Sequence, residues 1–228
     1  MLQYENMVEG RFLLRPNRFI AHVEIGGREE VCHVKNTGRC RELLVPGARV
    51  WCQKHDDPKR KTKYSLISVQ KADRCINMDS QIPNALARLW IESGGLGFVP
   101  RVLQAEKVWG GSRFDFYLED DRMQPGYVEV KGVTLENDGI AAFPDAPTVR
   151  GTRHLTELTA AKRSGLRAFV LFVVQMENIR YLVPNDATDP AFAGALRTAA
   201  ATGVEIHAVG CRVTPDSIVP MAPVPVIL

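Results

Sequence analysis

The sequence predicts an α+β protein of two units in tandem, a small β-barrel followed by a mixed α/β domain. Three observations point there: short strands punctuated by turns over residues 8–75, alternating strand and helix patterns from residue 83 onward, and a change of charge between the two portions.

The first unit holds five strand patterns, VEGRFLLR, RFIAHVEI, REEVCHVKN, ARVWCQK and KYSLISVQK, set apart by Gly26-Gly27, Pro46-Gly47 and Asp56-Asp57-Pro58. Glycine supplies the positive φ of tight turns and proline presets φ, so such clusters end strands. A short helical piece is expected at 39–44, before the fourth strand. This arrangement fits a small closed barrel of the oligonucleotide-binding (OB) type, and an SH3-like barrel satisfies the strand count nearly as well.

In IPNALARLWIESGGL, Asn84 is expected to cap a helix with Leu86, Leu89 and Trp90 on one face and Gly94-Gly95 at its end. Strands are expected at 102–109, 113–118 and 126–133, a helix at 152–164, strands at 167–175 and 180–183, a helix at 190–202 and a strand at 205–213. The run AFVLFVV is apolar throughout, as a central strand covered on both faces must be. TPDSIVPMAPVPVIL carries four prolines and is predicted to run extended, outside the core. The expected divisions are therefore 1–82 for the barrel, 83–214 for the α/β domain and 215–228 for the tail.

With 228 residues, 45% hydrophobic and 24% charged, the chain has the profile of a globular protein and is neither disordered nor collagenous. No run approaches the ~18 apolar residues of a membrane span, and MLQYENMVEGRFLLRP lacks a basic-then-apolar leader, so a cytoplasmic protein without membrane partners is expected. Cys32, Cys40, Cys52, Cys75 and Cys211 form no CxxC pair, and the histidines show no HExxH spacing, so neither a disulfide framework nor a zinc site is suggested. Residues 1–82 carry 15 Lys and Arg against 10 Asp and Glu, and residues 83–228 carry 14 against 16. A basic module joined to a slightly acidic one suits a polyanion-binding unit beside a metal-binding unit, although charge alone fits a solvated surface as well.

The chemistry concentrates in SRFDFYL and YVEVKG. Alternation puts Phe114, Phe116 and Leu118 on one face and Asp115 on the other; Val128 and Val130 likewise oppose Glu129 and Lys131. A hairpin centred near Arg122 sets Asp115 opposite Glu129 and Phe116 opposite Val128. Facing carboxylates repel unless a cation lies between them, and Mg²⁺ (or Mn²⁺) with oxygen ligands is the expected occupant. With Lys131 beside them, this is the D…ExK pattern of a large nuclease superfamily, in which metal, water and ammonium act on a phosphodiester. A lone E-x-K on a strand is ordinarily a solvated ion pair; the compatible register of Asp115 strengthens the catalytic reading and leaves the ion pair as the alternative. Glu106, in QAEKVW, is a further candidate metal ligand, and Glu92 shares the ambiguity of any surface acid.

Candidate phosphate contacts are Lys35, Arg39 and Arg41 around the turn Lys35-Asn36-Thr37-Gly38-Arg39, the basic loop Lys59, Arg60 and Lys61, and Arg113, Arg150, Arg153 and His154 in the second unit. Phe12, Phe19, Trp51 and Tyr64 are available to stack on bases, though such residues more often fill a barrel. There is no GxxxxGK[ST] and no GxSxG.

Over nearly the whole chain, HVKNTGRCRELLVPGARV, SRFDFYL, YVEVKGVTL, AAFPDAPTVRGTRHLTEL and VPNDATDPAF occur in the order in which the sugar fermentation stimulation protein A family carries them, and the chain resembles that family. The resemblance implies an OB-type barrel joined to a restriction-endonuclease-like domain, DNA as partner and a regulatory link to sugar (maltose) use; if the DNA is held mostly by phosphate contacts, its binding should vary little with sequence. By motif it assigns the nuclease triad to Asp115, Glu129 and Lys131, with Arg39 and Arg153-His154 in support. Arg153 stands where a lysine before the histidine is more usual, which keeps charge but not geometry. The competing expectations are a non-catalytic DNA-binding regulator and, with less support, a sugar-binding protein; oligomeric state is open, a homodimer included.

Overall fold

The computed structural model describes residues 1–36 and 38–228. Strand β1 (Leu2–Gln3) pairs with the last strand of the chain, Leu2 opposite Ile218. Strands β2 (Met7–Asn17), β3 (Ile20–Ile25), β4 (Arg28–Val34), β5 (Arg49–Lys54) and β6 (Tyr64–Lys71) then follow one another in the order β4-β3-β2-β5-β6, and parallel pairing of β4 with β6 closes the barrel. Phe12, Val23, Val34, Val50 and Leu66 fill it, alternating with outward polar residues. Strand β7 (Arg74–Asn77) folds back on β6 and leads out of the barrel. Residues 39–44 make a turn rather than the expected helical piece: Cys40 adopts φ 46°, and the N–H groups of Leu43 and Leu44 both donate to its carbonyl. A left-handed residue there and Pro46-Gly47 just beyond leave no room for helical propagation.

The second domain comprises α1 (Pro83–Glu92), β8 (Val102–Trp109), β9 (Ser112–Glu119), β10 (Pro125–Val133), β11 (Glu136–Asn137), β12 (Ile140–Phe143), α2 (Val149–Arg163), β13 (Arg167–Val174), β14 (Tyr181–Pro184), α3 (Pro190–Ala201), β15 (Glu205–Val213) and β16 (Ser217–Pro223). Its main sheet has the order β1-β16-β15-β13-β10-β9-β8, and β11, β12 and β14 form a small second sheet. Strand β13 is the middle strand, and its residues from Ala168 to Val174 are fully buried, as the apolar run requires. Helix α1 covers one face with Leu86, Trp90 and Ile91 against Phe116, Val128 and Phe169. Helices α2 and α3 cover the other with Leu155, Leu158, Phe192 and Leu196 against Phe172 and Val174. Thr148 caps α2 by accepting from Gly151 N–H at 3.0 Å; Asp189 caps α3 through Phe192 N–H at 2.9 Å and accepts Thr148 N–H at 2.7 Å, which ties the two helix starts together.

Four further expectations change. Helix α1 starts at Pro83 with Ile82 as N-cap, because proline at the first helical position needs no N–H partner; Asn84 is thereby free for other contacts, and Leu89 is exposed while Leu86 and Trp90 are buried. The proline-rich tail is β16, hydrogen-bonded to β15 and β1 with Ile218 fully buried; a register shift between Val209 and Cys211 accommodates Pro220 opposite Cys211. The first residues likewise belong to this domain, with Tyr4 in the α1-side core. Alternation also breaks within β9: Phe114 packs with Tyr127 on the α2 side, whereas Phe116 and Leu118 pack on the α1 side. The flip falls at Asp115, opposite Glu106 of β8, which has φ 57° and drops out of the β8–β9 pairing.

Candidate active site

Strands β9 and β10 pair in the predicted register, Phe116 opposite Val128. Pairing stops there, and the next residue of β9 uses its side chain instead: Asp115 Oδ2 accepts the Val130 N–H at 2.8 Å and Oδ1 accepts Asn84 Nδ2 at 2.8 Å. Asp115, Glu129 and Lys131 thus line one cleft of 410 Å³ with Asn84 and Arg150. Asn36, Gly38, Ser80 and Gln81 form its other wall, so the cleft lies between barrel and α/β domain. Gly132 also lines it; a Cβ there would press on Pro83 at 2.7 Å and Gln175 Oε1 at 2.8 Å, so glycine lets the start of α1 settle on β10 beside Lys131.

Glu129 is buried on a central strand, and Lys131 Nζ donates to its Oε1 at 2.6 Å. His154 Nδ1, reaching from α2, bonds to the same oxygen, and Arg150 Nε donates to His154 Nε2 at 3.4 Å. Burial pushes the Glu129 carboxyl up, but His154 and Lys131 outweigh it and hold the group below its ordinary range. Asp115 moves the other way, raised by burial and then by the negative charge of Glu129. Among the described residues, Glu129 Oε2 is a buried oxygen without a hydrogen-bond partner. One free carboxylate oxygen beside a second carboxyl that resists ionisation fits a small, hard divalent cation with Asp115 and Glu129 as ligands.

The remaining predicted residues distribute unevenly. Glu106 is exposed, pairs with Arg113 at 3.4 Å and does not line the cleft; its φ of 57° takes it out of the β8–β9 pairing opposite Asp115. His154 is 1% exposed, so it is a partner of Glu129 and not a surface phosphate contact; three residues from Gly151 on α2, it faces the sheet. Arg153 is exposed and lies outside the cleft. Lys35 is committed to Asp79 at 2.9 Å, within a buried network in which Gln175 Nε2 donates to the Asn77 and Asp79 carbonyls at 3.1 Å and fastens the two domains together. Arg39 and Arg41 line a groove on the barrel with Arg15 and Arg18. Lys59, Arg60 and Lys61 are exposed on the β5–β6 loop, Arg60 bonding Ser65 Oγ at 3.1 Å. Of the four aromatics only Phe19 is exposed, under the Arg18 guanidinium at 4.9 Å; Phe12, Trp51 and Tyr64 are buried. Thr37 lies outside the described residues.

Sequence reasoning missed two cleft residues, Asn84 and Asp145. Asp145 Oδ2 accepts the Arg39 N–H at 2.9 Å, and a Cβ on Gly38 would collide with that carboxylate. Arg15 holds the same segment from the barrel side through the carbonyls of Asn36, Gly38 and Arg39 at 2.7–2.9 Å. The Ile82-Pro83 junction was the available signal for Asn84, since proline at the first helical position removes the need for an asparagine cap.

A closed OB-type barrel fastened to an α/β domain, with an acidic and basic cleft at their junction, defines a two-domain class. The family model described as the SfsA N-terminal OB domain matches residues 13–78, and the model described as the sugar fermentation stimulation protein RE domain matches residues 81–217. The chain belongs to the sugar fermentation stimulation protein family. It is 54% identical over 217 residues to a sugar fermentation stimulation protein homolog of Desulfitobacterium hafniense, covering 95% of this chain and 94% of that one. A homolog from Clostridium beijerinckii is 53% identical, with 95% and 96% covered. The structure of Pyrococcus furiosus SfsA in complex with Ca²⁺ superposes with a TM-score of 0.87 at 29% identity, over 100% of this chain and 98% of that one. No helix among the described residues is long and apolar enough to cross a membrane.

Proposed function

We propose that the protein binds DNA and cleaves its phosphodiester bonds with Mg²⁺ or Mn²⁺, using Asp115, Glu129 and Lys131. The observation that carries this is the free, buried Oε2 of Glu129 in a cleft shared with Asp115 and Lys131. The P. furiosus relative in complex with Ca²⁺ supports a divalent cation in this family, and the RE-domain match supports a nuclease. When bound, the cation would supply Lewis-acid polarisation of the phosphate and a more acidic water. Asp115, fixed by Val130 N–H and Asn84, and Glu129, fixed by His154, would present their carboxylates without further ordering. The Lys131 ammonium offsets negative charge building on the phosphate or orients the attacking water, and Arg150 at the cleft wall takes a neighbouring phosphate oxygen. His154 is a positioning residue: it fixes Glu129 and touches no reacting atom. Arg18, Arg39 and Arg41 would hold flanking phosphates, with Arg15 bracing the segment that carries Arg39, which gives affinity with little sequence preference.

A second reading is a non-catalytic DNA-binding regulator. The double engagement of Glu129 Oε1 by Lys131 and His154 favours it, since such a cluster is also a stable structural ion pair. The test is cleavage of labelled single-stranded, duplex and branched DNA with Mg²⁺, Mn²⁺ or EDTA, by wild type, Glu129→Gln and Lys131→Ala, with binding followed in parallel. Metal-dependent cleavage lost in both variants while binding persists is the expected result; binding without cleavage on every substrate sinks the nuclease reading in favour of the regulator.

A further inference from the structure

The cleft does not end at Asp115. Asp115 and Asn84 also line a second groove of 440 Å³, on the α1 side, whose surface is otherwise Leu2, Ala85, Leu89, Ala105 and Phe116, with Arg88 and Glu106 at its margin. The two cavities therefore adjoin at the hydrogen-bonded pair of Asn84 and Asp115, the carboxylate expected to face the scissile phosphate. At the other end, Gly38 lines both the cleft and the barrel groove of Arg15, Arg18, Arg39 and Arg41. Three cavities thus lie in series, an arginine-lined groove, the acidic centre and an apolar groove, each meeting the next at shared lining residues.

We infer that this apolar groove receives an unpaired nucleobase of the nucleotide next to the phosphate in the cleft, so that the substrate is DNA whose base is free of its partner strand. The inference rests on the nuclease reading for the position of that phosphate. Charge decides which part of a nucleotide fits. The barrel groove presents Arg18, Arg39 and Arg41, the environment of a phosphate backbone, whereas at the α1-side groove Arg88 is paired with Glu92 at 3.1 Å and Glu106 with Arg113 at 3.4 Å, which, with Asp115 beside them, offers a phosphate no net attraction. Its apolar lining and its volume, within the roughly 300–1,000 Å³ usual for small-ligand sites, suit a flat heteroaromatic ring instead. The Arg88 guanidinium lies 5.3 Å over the Phe116 ring, which extends a planar surface toward the groove. The Asn84 amide, with one N–H on Asp115, keeps a second N–H and an oxygen for a base edge.

The backbone is shaped for this opening. Glu106 takes φ 57° in mid-strand, unfavourable for a residue with a side chain, and the pairing of β8 with β9 lapses opposite Asp115. Phe116 keeps its alternation with Leu118 on the α1 side and Phe114 is the residue displaced to the other side, so Asp115 stands at the break, where its side chain lines both cavities. A paired base cannot leave its stack without an unpairing cost, and an unpaired one can, so the groove selects single-stranded or gapped DNA.

The experiment walks 2-aminopurine along a labelled oligonucleotide and follows its fluorescence with the full-length protein and Ca²⁺, single-stranded and as a duplex. Ala85 is exposed on α1, so Ala85→Trp fills the groove without entering a core, and Leu89→Glu alters its rim. In wild type, one position should brighten as its base leaves the stack, in the single strand only. Both variants should lose that signal and bind the single strand about tenfold more weakly, with duplex affinity unchanged. A signal that survives both substitutions, or equal losses for single strand and duplex, overturns the groove as a base site. Parallel Mg²⁺ assays separate the two readings: if no DNA is cut while the brightening is present and lost in the variants, the nuclease reading fails and base capture stands.

Discussion

The basic groove of the barrel and the cleft of the α/β domain carry comparable numbers of charged side chains but treat them in opposite ways. On the barrel, Arg18, Arg39 and Arg41 are exposed; in the cleft, Glu129 and His154 are almost completely removed from solvent and bonded to each other. Exposed charge keeps its hydration, which suits screened, sequence-independent attraction to phosphates. Buried charge shifts pKa and fixes geometry, which suits chemistry. On the proposed function the contrast would separate binding from catalysis in space, and each half can be perturbed alone.

The largest expected effect is in the cleft: Glu129→Gln should lower cleavage on the order of 10³-fold with DNA affinity retained, read in a single-turnover assay. Next is His154→Ala, expected to raise the Mg²⁺ concentration for half-maximal cleavage by roughly 10–100-fold, because it loosens the ligand and not the DNA. An unchanged metal requirement would make His154 a packing residue only. Between the domains, Glu136 is 2% exposed and bound by Lys71 at 2.8 Å and Arg74 at 3.2 Å. Burial raises its carboxyl, but Lys71 and the Gly139 N–H prevail and hold it below the usual range. A depressed carboxylate stabilises the fold above its unfolded pKa of about 4.3 and loses that contribution as pH falls toward the folded value. Glu136→Gln should therefore cost roughly 1–3 kcal/mol near neutrality, and the Tm gap to wild type should close as the pH drops below about 4. The smallest effects belong to the barrel: Arg18→Ala and Arg41→Ala should each weaken binding a few-fold and reduce the slope of log affinity against log salt by about 1. A slope that does not move would place the phosphate path elsewhere.

What could be read from the sequence followed from local pattern. Strand β8 and strand β15 lie at 102–109 and 205–213 as expected, and Asp115, Glu129 and Lys131 meet because hairpin register is fixed by which residues are apolar. What escaped depends on contacts distant in the chain. His154 reaches Glu129 across 25 residues, and Asp145 reaches Arg39 across 106; both bonds exist only once α2 and the barrel are docked. Strand β16 escaped because proline content argues against regular structure, although a strand with a partial ladder can absorb it. The break at Asp115 escaped because strict alternation is the assumption that made the hairpin legible at all.

The pairing of β1 with β16 gives the barrel an unusual mounting. The chain starts in the sheet of the α/β domain, leaves to build the barrel, and returns at α1, so the barrel is pinned at both of its ends rather than hung from one linker. A body pinned twice can rock but cannot swing away. On the proposed function, a strand of DNA held on the barrel would thereby be presented to the cleft at a nearly constant distance, and the second binding event would become intramolecular, with a high effective concentration set by the protein's own covalent frame.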